Sequence, residues 1–230
     1  MIADGDDRAA AGNRTLSGPA IPTFAPRHAE RIADVGVLAG GLVLGIAASA
    51  ALIALALGRG GPRLIVGVGA YVTGLMAMLG CSLGYRAALA PRRRQILRRF
   101  DHAAIFAMIA GSATPFALAH RSTGGILLAA ALWGVAAVGM LFKLSFPIGG
   151  IRRSAILYLL LGWASLVAVG PAVSGETVLL IAAGGACYSA GVPFLLWWWR
   201  LPYRLAIWHA LVLAGAACHY LAILSGVVFA

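Results

Sequence analysis

The sequence predicts an all-α integral membrane protein: a bundle of seven transmembrane helices, with the N-terminus in the cytosol and the C-terminus outside. Of its 230 residues, 61% are hydrophobic and only 11% are charged, which is more apolar surface than a soluble domain of this size can bury. The formal net charge of +11 would also suit a nucleic-acid binder. The basic residues, however, lie between apolar segments, as membrane topology requires. We therefore predict no nucleic-acid partner.

Seven stretches without Asp, Glu, Lys or Arg approach the roughly 20 residues that a helix needs to cross a bilayer. They lie at about 35–57, 64–85, 102–119, 124–142, 154–174, 177–199 and 205–229. The connections between them are too short for a second domain, so residues 28–230 are predicted to form one seven-helix membrane domain. Residues 1–27 are rich in Asp and Gly and have no apolar core, which predicts a disordered cytosolic tail.

The distribution of Lys and Arg predicts the orientation of the bundle. Only Arg59, Arg63 and Arg121 fall on one side of the seven-span pattern, and every other basic residue falls on the side of the N-terminus. Because cytosolic loops carry the excess of Lys and Arg, that side is predicted to be the cytosol.

Polar residues collect at the predicted cytosolic ends of the spans: Glu30, Asp34, Ser82, Arg86, Asp101 and His209. Ser82 and Arg86 are four residues apart and share one face of span 2. Asp101 is predicted to open span 3, after a basic loop, where the helix dipole favours a carboxylate. An ionised side chain that points into a membrane needs a partner, so we predict an ion pair between Arg86 and Asp101 that braces the two spans.

Each of these residues also has a simpler interpretation. Arg86 fits an arginine that snorkels to the membrane surface, and Asp101 fits a helix cap. His209 fits a hydrogen-bond partner between helices, and Glu30 fits a surface residue that complements the helix dipole.

Four sequence motifs resemble those of the hemolysin III family, the bacterial branch of the progestin and adipoQ receptor superfamily. They are "RRFDHAAIFAMIAGSATPF" in span 3, "AIWHALVLAGAACHYLAIL" in span 7, "ERIAD" at the entry to span 1 and "GGACYSAG" in span 6. The resemblance runs from about residue 28 to the end. It implies a seven-helix protein of the bacterial inner membrane with a zinc site in the inner leaflet, suited to hydrolysing a lipid amide as membrane ceramidases do. The family's name also implies cytolytic activity.

The resemblance places the family's serine at Ser82, its aspartate at Asp101 and one of its span 7 histidines at His209, and these three are the catalytic candidates. The span 2 histidine falls on Arg86 and the other span 7 histidine on Leu205; a histidine often found in span 1 falls at about Leu38. Only His209 remains of the three zinc ligands, and arginine is no metal ligand. We therefore expect no zinc, with Arg86 taking the place of the metal as the cation of the site.

The sequence is compatible with two functions and does not decide whether the chain is an enzyme. The first is a zinc-independent membrane protein with a structural or regulatory role in the lipid state of the inner membrane, with membrane lipids as its partners and no protein partner predicted. The alternative is a metal-dependent lipid amide hydrolase, with zinc as cofactor, in which Asp101 and His209 hold metal or water. A ligand-gated receptor ranks last because the tail and loops are short. A light-driven pump is excluded because span 7 has no lysine for a retinal Schiff base; the only lysine, Lys143, lies at the end of span 4.

Overall fold

The computed structural model describes residues 28–119, 122–146, 151–197 and 201–230. Seven α-helices follow one another, and the described residues contain no strand: α1 His28–Arg59, α2 Pro62–Ala87, α3 Pro91–Ala119, α4 Thr123–Ser145, α5 Ile151–Val169, α6 Gly175–Leu196 and α7 Arg204–Ile223. A π-helical turn, Leu224–Val228, continues α7. The predicted seven-helix fold is confirmed. The predicted tail, residues 1–27, lies outside the described residues.

Among the described helices, all but α5 are long and apolar enough to cross a membrane. The apolar part of α5, Arg153–Val169, is shorter. Its predicted span, 154–174, is too long at the C-terminal end, because the chain tightens into a 3-10 turn at Gly170–Ala172. Pro171 lies in that turn, and its missing N–H ends the α-helical hydrogen bonding.

The basic segment before span 3 is helical rather than a loop. Helix α3 begins at Pro91, and proline suits the first helical position because its missing N–H would be unpaired there anyway. Asp101 is consequently about three turns inside α3. The prediction that Asp101 opens span 3 is wrong. Asp101 is too far from the helix start to act as a cap or to interact with the helix dipole, which acts within the first turn.

The helices form a ring with one member outside it. Helices α1, α2, α3, α5, α6 and α7 contact one another in that circular order, and α4 packs on the outer side of α3. Helix α3 is therefore covered on several sides, and 83% of its most apolar 18-residue stretch is buried.

Two glycines let α2 and α3 approach closely. A Cβ atom at Gly74 would lie 2.7 Å from the backbone oxygen of Ala107, and one at Gly111 would lie 2.6 Å from that of Ala70. Both distances are shorter than side chains tolerate, so only glycine permits this backbone contact. The close approach fixes the relative heights of the residues that α2 and α3 present to the interior.

Candidate functional site

The ring encloses a cavity of about 710 Å³. Helices α2, α3, α5, α6 and α7 line it, and α1 contributes no lining residue. One face of α3 lines it at helical spacing, from Arg98 through His102, Ile105, Ile109 and Ser112 to Phe116. The cavity therefore follows α3 for about 27 Å of helix rise.

The cavity is polar at one end and mostly apolar along its length. The polar end lies where the arginines predict the cytosol and is lined by Ser82, Arg86, Arg98, Asp101, His102, Arg204 and His209. Beyond it the walls are largely apolar, with residues such as Met108, Phe116, Leu166, Val169 and Ile181. His219 lies near this deeper part, where its Nε2 is 3.3 Å from the backbone oxygen of Ile181.

Asp34 lies next to the polar end, outside the cavity lining, and contacts two of the residues that line it. Its Oδ1 is 2.5 Å from His209 Nδ1, and its Oδ2 is 3.4 Å from Arg86 Nε, an ion-pair distance without the alignment of a hydrogen bond. Asp34 is only 3% exposed and His209 only 6%. The carboxylate thus joins α1 to α2 and α7 and fixes how Arg86 and His209 face the cavity.

The predicted Arg86–Asp101 ion pair is wrong. Arg86 turns to Asp34, and Asp101 instead accepts a hydrogen bond from the hydroxyl of Ser82. Helices α2 and α3 are still joined at this height, but through Ser82. The physical reason is that α1 brings a second, more deeply buried carboxylate to the other side of the arginine.

Five of the six residues of the predicted polar cluster form two contact groups in the structure. Asp34, Arg86 and His209 form one contact group, and Ser82 and Asp101 form a second that lines the same cavity. Glu30 is half-buried one turn before Asp34 and lies within electrostatic range of Arg204.

The donor set at the polar end does not fit a three-ligand zinc site. Catalytic zinc needs three protein ligands from His, Cys, Asp or Glu, and the described residues hold no group of three such side chains that suits a metal. Arg86 and Leu205 line the cavity beside His209, but neither offers a lone pair to a metal. His209 also directs Nδ1 to Asp34, which leaves only Nε2.

The sequence interpretation missed a second polar group between α3, α4 and α5. Lys143 donates a hydrogen bond to Ser154 at 2.5 Å, and both side chains are buried. Tyr158 donates to the backbone oxygen of His102 at 2.9 Å. His102 itself is 7% exposed, and its Nδ1 is buried without a hydrogen-bond partner. A lysine in the last turn of an apolar helix, such as Lys143, is a sequence signal for a nearby polar partner.

The chain is similar to known proteins over most of this site. A family model described as "Haemolysin-III related" matches residues 38–220. The "Hemolysin-3 homolog" of Bacillus subtilis (strain 168) is 33% identical over 199 residues, which are 85% of this chain and 93% of that protein. The "Hemolysin-3" of Bacillus cereus is 33% identical over the same share of this chain and 90% of its own length. The family match includes Ser82, Arg86, Asp101 and His209 and begins after Asp34.

Proposed function

The chain belongs to the hemolysin III family, and from this premise we propose that it is a zinc-independent protein of the bacterial inner membrane with a regulatory role in the lipid state of that membrane. The cavity carries the proposal. A volume of about 710 Å³ lies within the range of roughly 300–1,000 Å³ of sites that hold a whole small molecule.

The shape and chemistry of the cavity match a membrane lipid. Its polar end has charged and hydroxyl side chains at the predicted membrane surface, and the apolar walls continue inward from there. A lipid with its headgroup at the surface would contact polar side chains there, and its acyl chain would contact the apolar walls further in. The protein would in this way sample or withdraw lipid from the surrounding leaflet.

The chemistry of Arg86 supports zinc independence. Its side chain is 15% exposed and faces Asp34, so a permanent cation already balances the buried carboxylate that α1 supplies. A divalent metal at the same place would be repelled by the permanent guanidinium charge and would find the Asp34 carboxylate already paired.

Filling the cavity tests this function. Gly162 lines the cavity on α5, and a Cβ atom added there meets nothing within 4 Å, so Gly162→Phe starts from an open position and is chosen to occupy cavity space. Gly134 on α4 is equally open but does not line the cavity, and Gly134→Phe is the matched control. In a bacterial strain that lacks the protein, we expect the parent chain and Gly134→Phe to restore the membrane lipid composition, measured by mass spectrometry.

Gly162→Phe is expected to leave the composition as it is in the strain without the protein. Equal restoration by both variants would show that the cavity is not used. A fall in lipid amides that needs both zinc and Asp101 would instead establish the alternative, a metal-dependent amide hydrolase.

A further inference from the structure

The polar end of the cavity selects the headgroup. We infer that the cavity takes a single-chain lipid with a phosphate headgroup, the phosphate lying at the polar end that Arg98 and Arg204 line and the acyl chain following α3. This inference rests on the proposed function, because it names the class of lipid that the same cavity holds.

Two of the three arginines at the polar end are available to an anion. Arg86 is paired with Asp34, whereas Arg98 and Arg204 line the cavity with no carboxylate at ion-pair distance among the described residues. Basic side chains also outnumber acidic ones at this end of the described helices. Besides the three arginines, the basic residues there are Arg31, Arg92, Arg93, Arg94, Arg99, Lys143 and Arg153, and the acidic ones are Glu30, Asp34 and Asp101. The local field therefore favours an anion.

Arg204 is held in place before any ligand arrives. Its Nη1 donates to the backbone oxygens of Phe194 and Leu195, both at 3.2 Å, at the C-terminal end of α6. Both bonds leave from one nitrogen, so the remaining N–H groups of the planar guanidinium serve a phosphate. Helix α7 also begins here, and its N-cap Tyr203 gives no side-chain hydrogen bond to the first turn, which leaves backbone N–H groups for an anion.

His102 lines the polar end of the cavity with an incompletely paired side chain. Its buried Nδ1 has no hydrogen-bond partner, and buried polar atoms in folded proteins are nearly always paired. His102 follows Asp101 and lies one turn beyond Arg98 on the cavity face of α3. A headgroup with both phosphate and hydroxyl groups would donate a hydroxyl hydrogen to Asp101, which lines the cavity beside His102 and whose carboxylate would otherwise repel the phosphate.

The length of the cavity favours one long chain. The lining face of α3 extends for about 27 Å from Arg98 to Phe116, close to the roughly 30 Å thickness of a bilayer core. A glycerol phosphate with a single acyl chain fits this combination of a small, anionic, hydroxyl-bearing head and a long apolar path.

Binding to the purified full chain tests the inference with three probes. They are lysophosphatidic acid with a palmitoyl chain, monopalmitoylglycerol with the same chain and no phosphate, and inorganic phosphate. We expect lysophosphatidic acid to bind at least about tenfold more tightly than monopalmitoylglycerol. A hydrogen bond to a charged group contributes enough free energy to change the affinity by at least this factor. Inorganic phosphate is expected to show no saturable binding, since it lacks the chain.

Two arginine variants decide whether the contact is direct. Arg98→Gln should remove the preference for lysophosphatidic acid and leave monopalmitoylglycerol binding unchanged. Arg93→Gln removes the same charge from an exposed position of α3 that does not line the cavity, and should change neither affinity by more than about twofold.

The outcomes separate the inference from the function on which it rests. Equal affinity for the two lipids, or equal loss in both arginine variants, would overturn the phosphate headgroup while the cavity still holds lipid. Saturable binding of inorganic phosphate as tight as that of lysophosphatidic acid would also overturn it, by showing a simple anion site. Binding of neither lipid would overturn the proposed function as well.

Discussion

The Oδ1 atom of Asp34 lies 2.5 Å from Nδ1 of His209, so a buried carboxylate on the first helix holds a histidine on the last. The same carboxylate faces Arg86 on α2. Asp34 itself does not line the cavity. We therefore regard it as a positioning residue that closes the ring of helices at its predicted cytosolic end and orients two side chains of the site.

Loss of the Asp34 carboxylate should destabilise the bundle strongly. Asp34→Ala leaves the buried His209 and the partly buried Arg86 without their partner, and breaking a buried pair in this way typically lowers the free energy of unfolding by about 3–5 kcal/mol. The measurement is denaturant unfolding in detergent micelles. Glu30→Ala, one turn earlier on the same helix and only half-buried, should change the value by less than about 0.5 kcal/mol. Equal effects of the two substitutions would contradict the role of Asp34.

Loss of the Ser82 hydroxyl should have a smaller effect. Ser82→Ala removes one hydrogen bond to Asp101, and the expected loss in free energy of unfolding is about 1 kcal/mol. Ser225 is the matched control, because its hydroxyl bonds only to the backbone oxygen of Leu221 in its own helix and is exposed. Ser225→Ala should be nearly neutral. A neutral Ser82→Ala would mean that this contact does not brace α2 against α3.

The number and order of the helices could be predicted from the sequence because long apolar stretches are the strongest local signal. The start of α3 could not be read from hydropathy, since its first turns carry arginines, although Pro91 is a start signal. The end of α5 was misplaced because Val173 and Ser174 continue the uncharged stretch beyond Pro171.

The members of the polar cluster could be predicted from their depth, but their partners could not. Arg86 and Asp101 are close in sequence across one connection, which favoured their pairing. The actual partner, Asp34, is brought beside Arg86 only by the packing of α1 against α2 and α7, and no local pattern encodes that contact. The hydrogen bond from Tyr158 to the backbone of His102 was not predicted for the same reason, because it joins α3 to α5.

A methyl group at the α2–α3 contact should separate the two helices. Gly111→Ala would place a Cβ atom 2.6 Å from the backbone oxygen of Ala70, so we expect a loss of at least about 2 kcal/mol in the free energy of unfolding, as for other overpacked cores. Gly134→Ala, at an open position of α4, should be neutral or stabilise by up to about 1 kcal/mol. Similar values for the two variants would rule out the close contact.

The orientation of the bundle has a direct test. If the basic residues mark the cytosol, alkaline phosphatase fused after Ala230 should be active and a green fluorescent protein at the same point should be dark. Fusions that end after Lys143 should give the reverse pair of signals. Active phosphatase at Lys143 and fluorescence at Ala230 would show the opposite topology.

The zinc content of the purified protein tests whether Arg86 serves as the cation of a zinc-independent site. We would measure zinc by elemental analysis in the detergent-purified parent chain, in Asp101→Ala, and in a double variant, Arg86→His with Leu205→His, that restores the two missing ligands. We predict less than about a tenth of an equivalent of zinc in the parent and in Asp101→Ala, and close to one equivalent in the double variant, whose three histidines complete a ligand set. Near one equivalent in the parent, lost in Asp101→Ala, would contradict it.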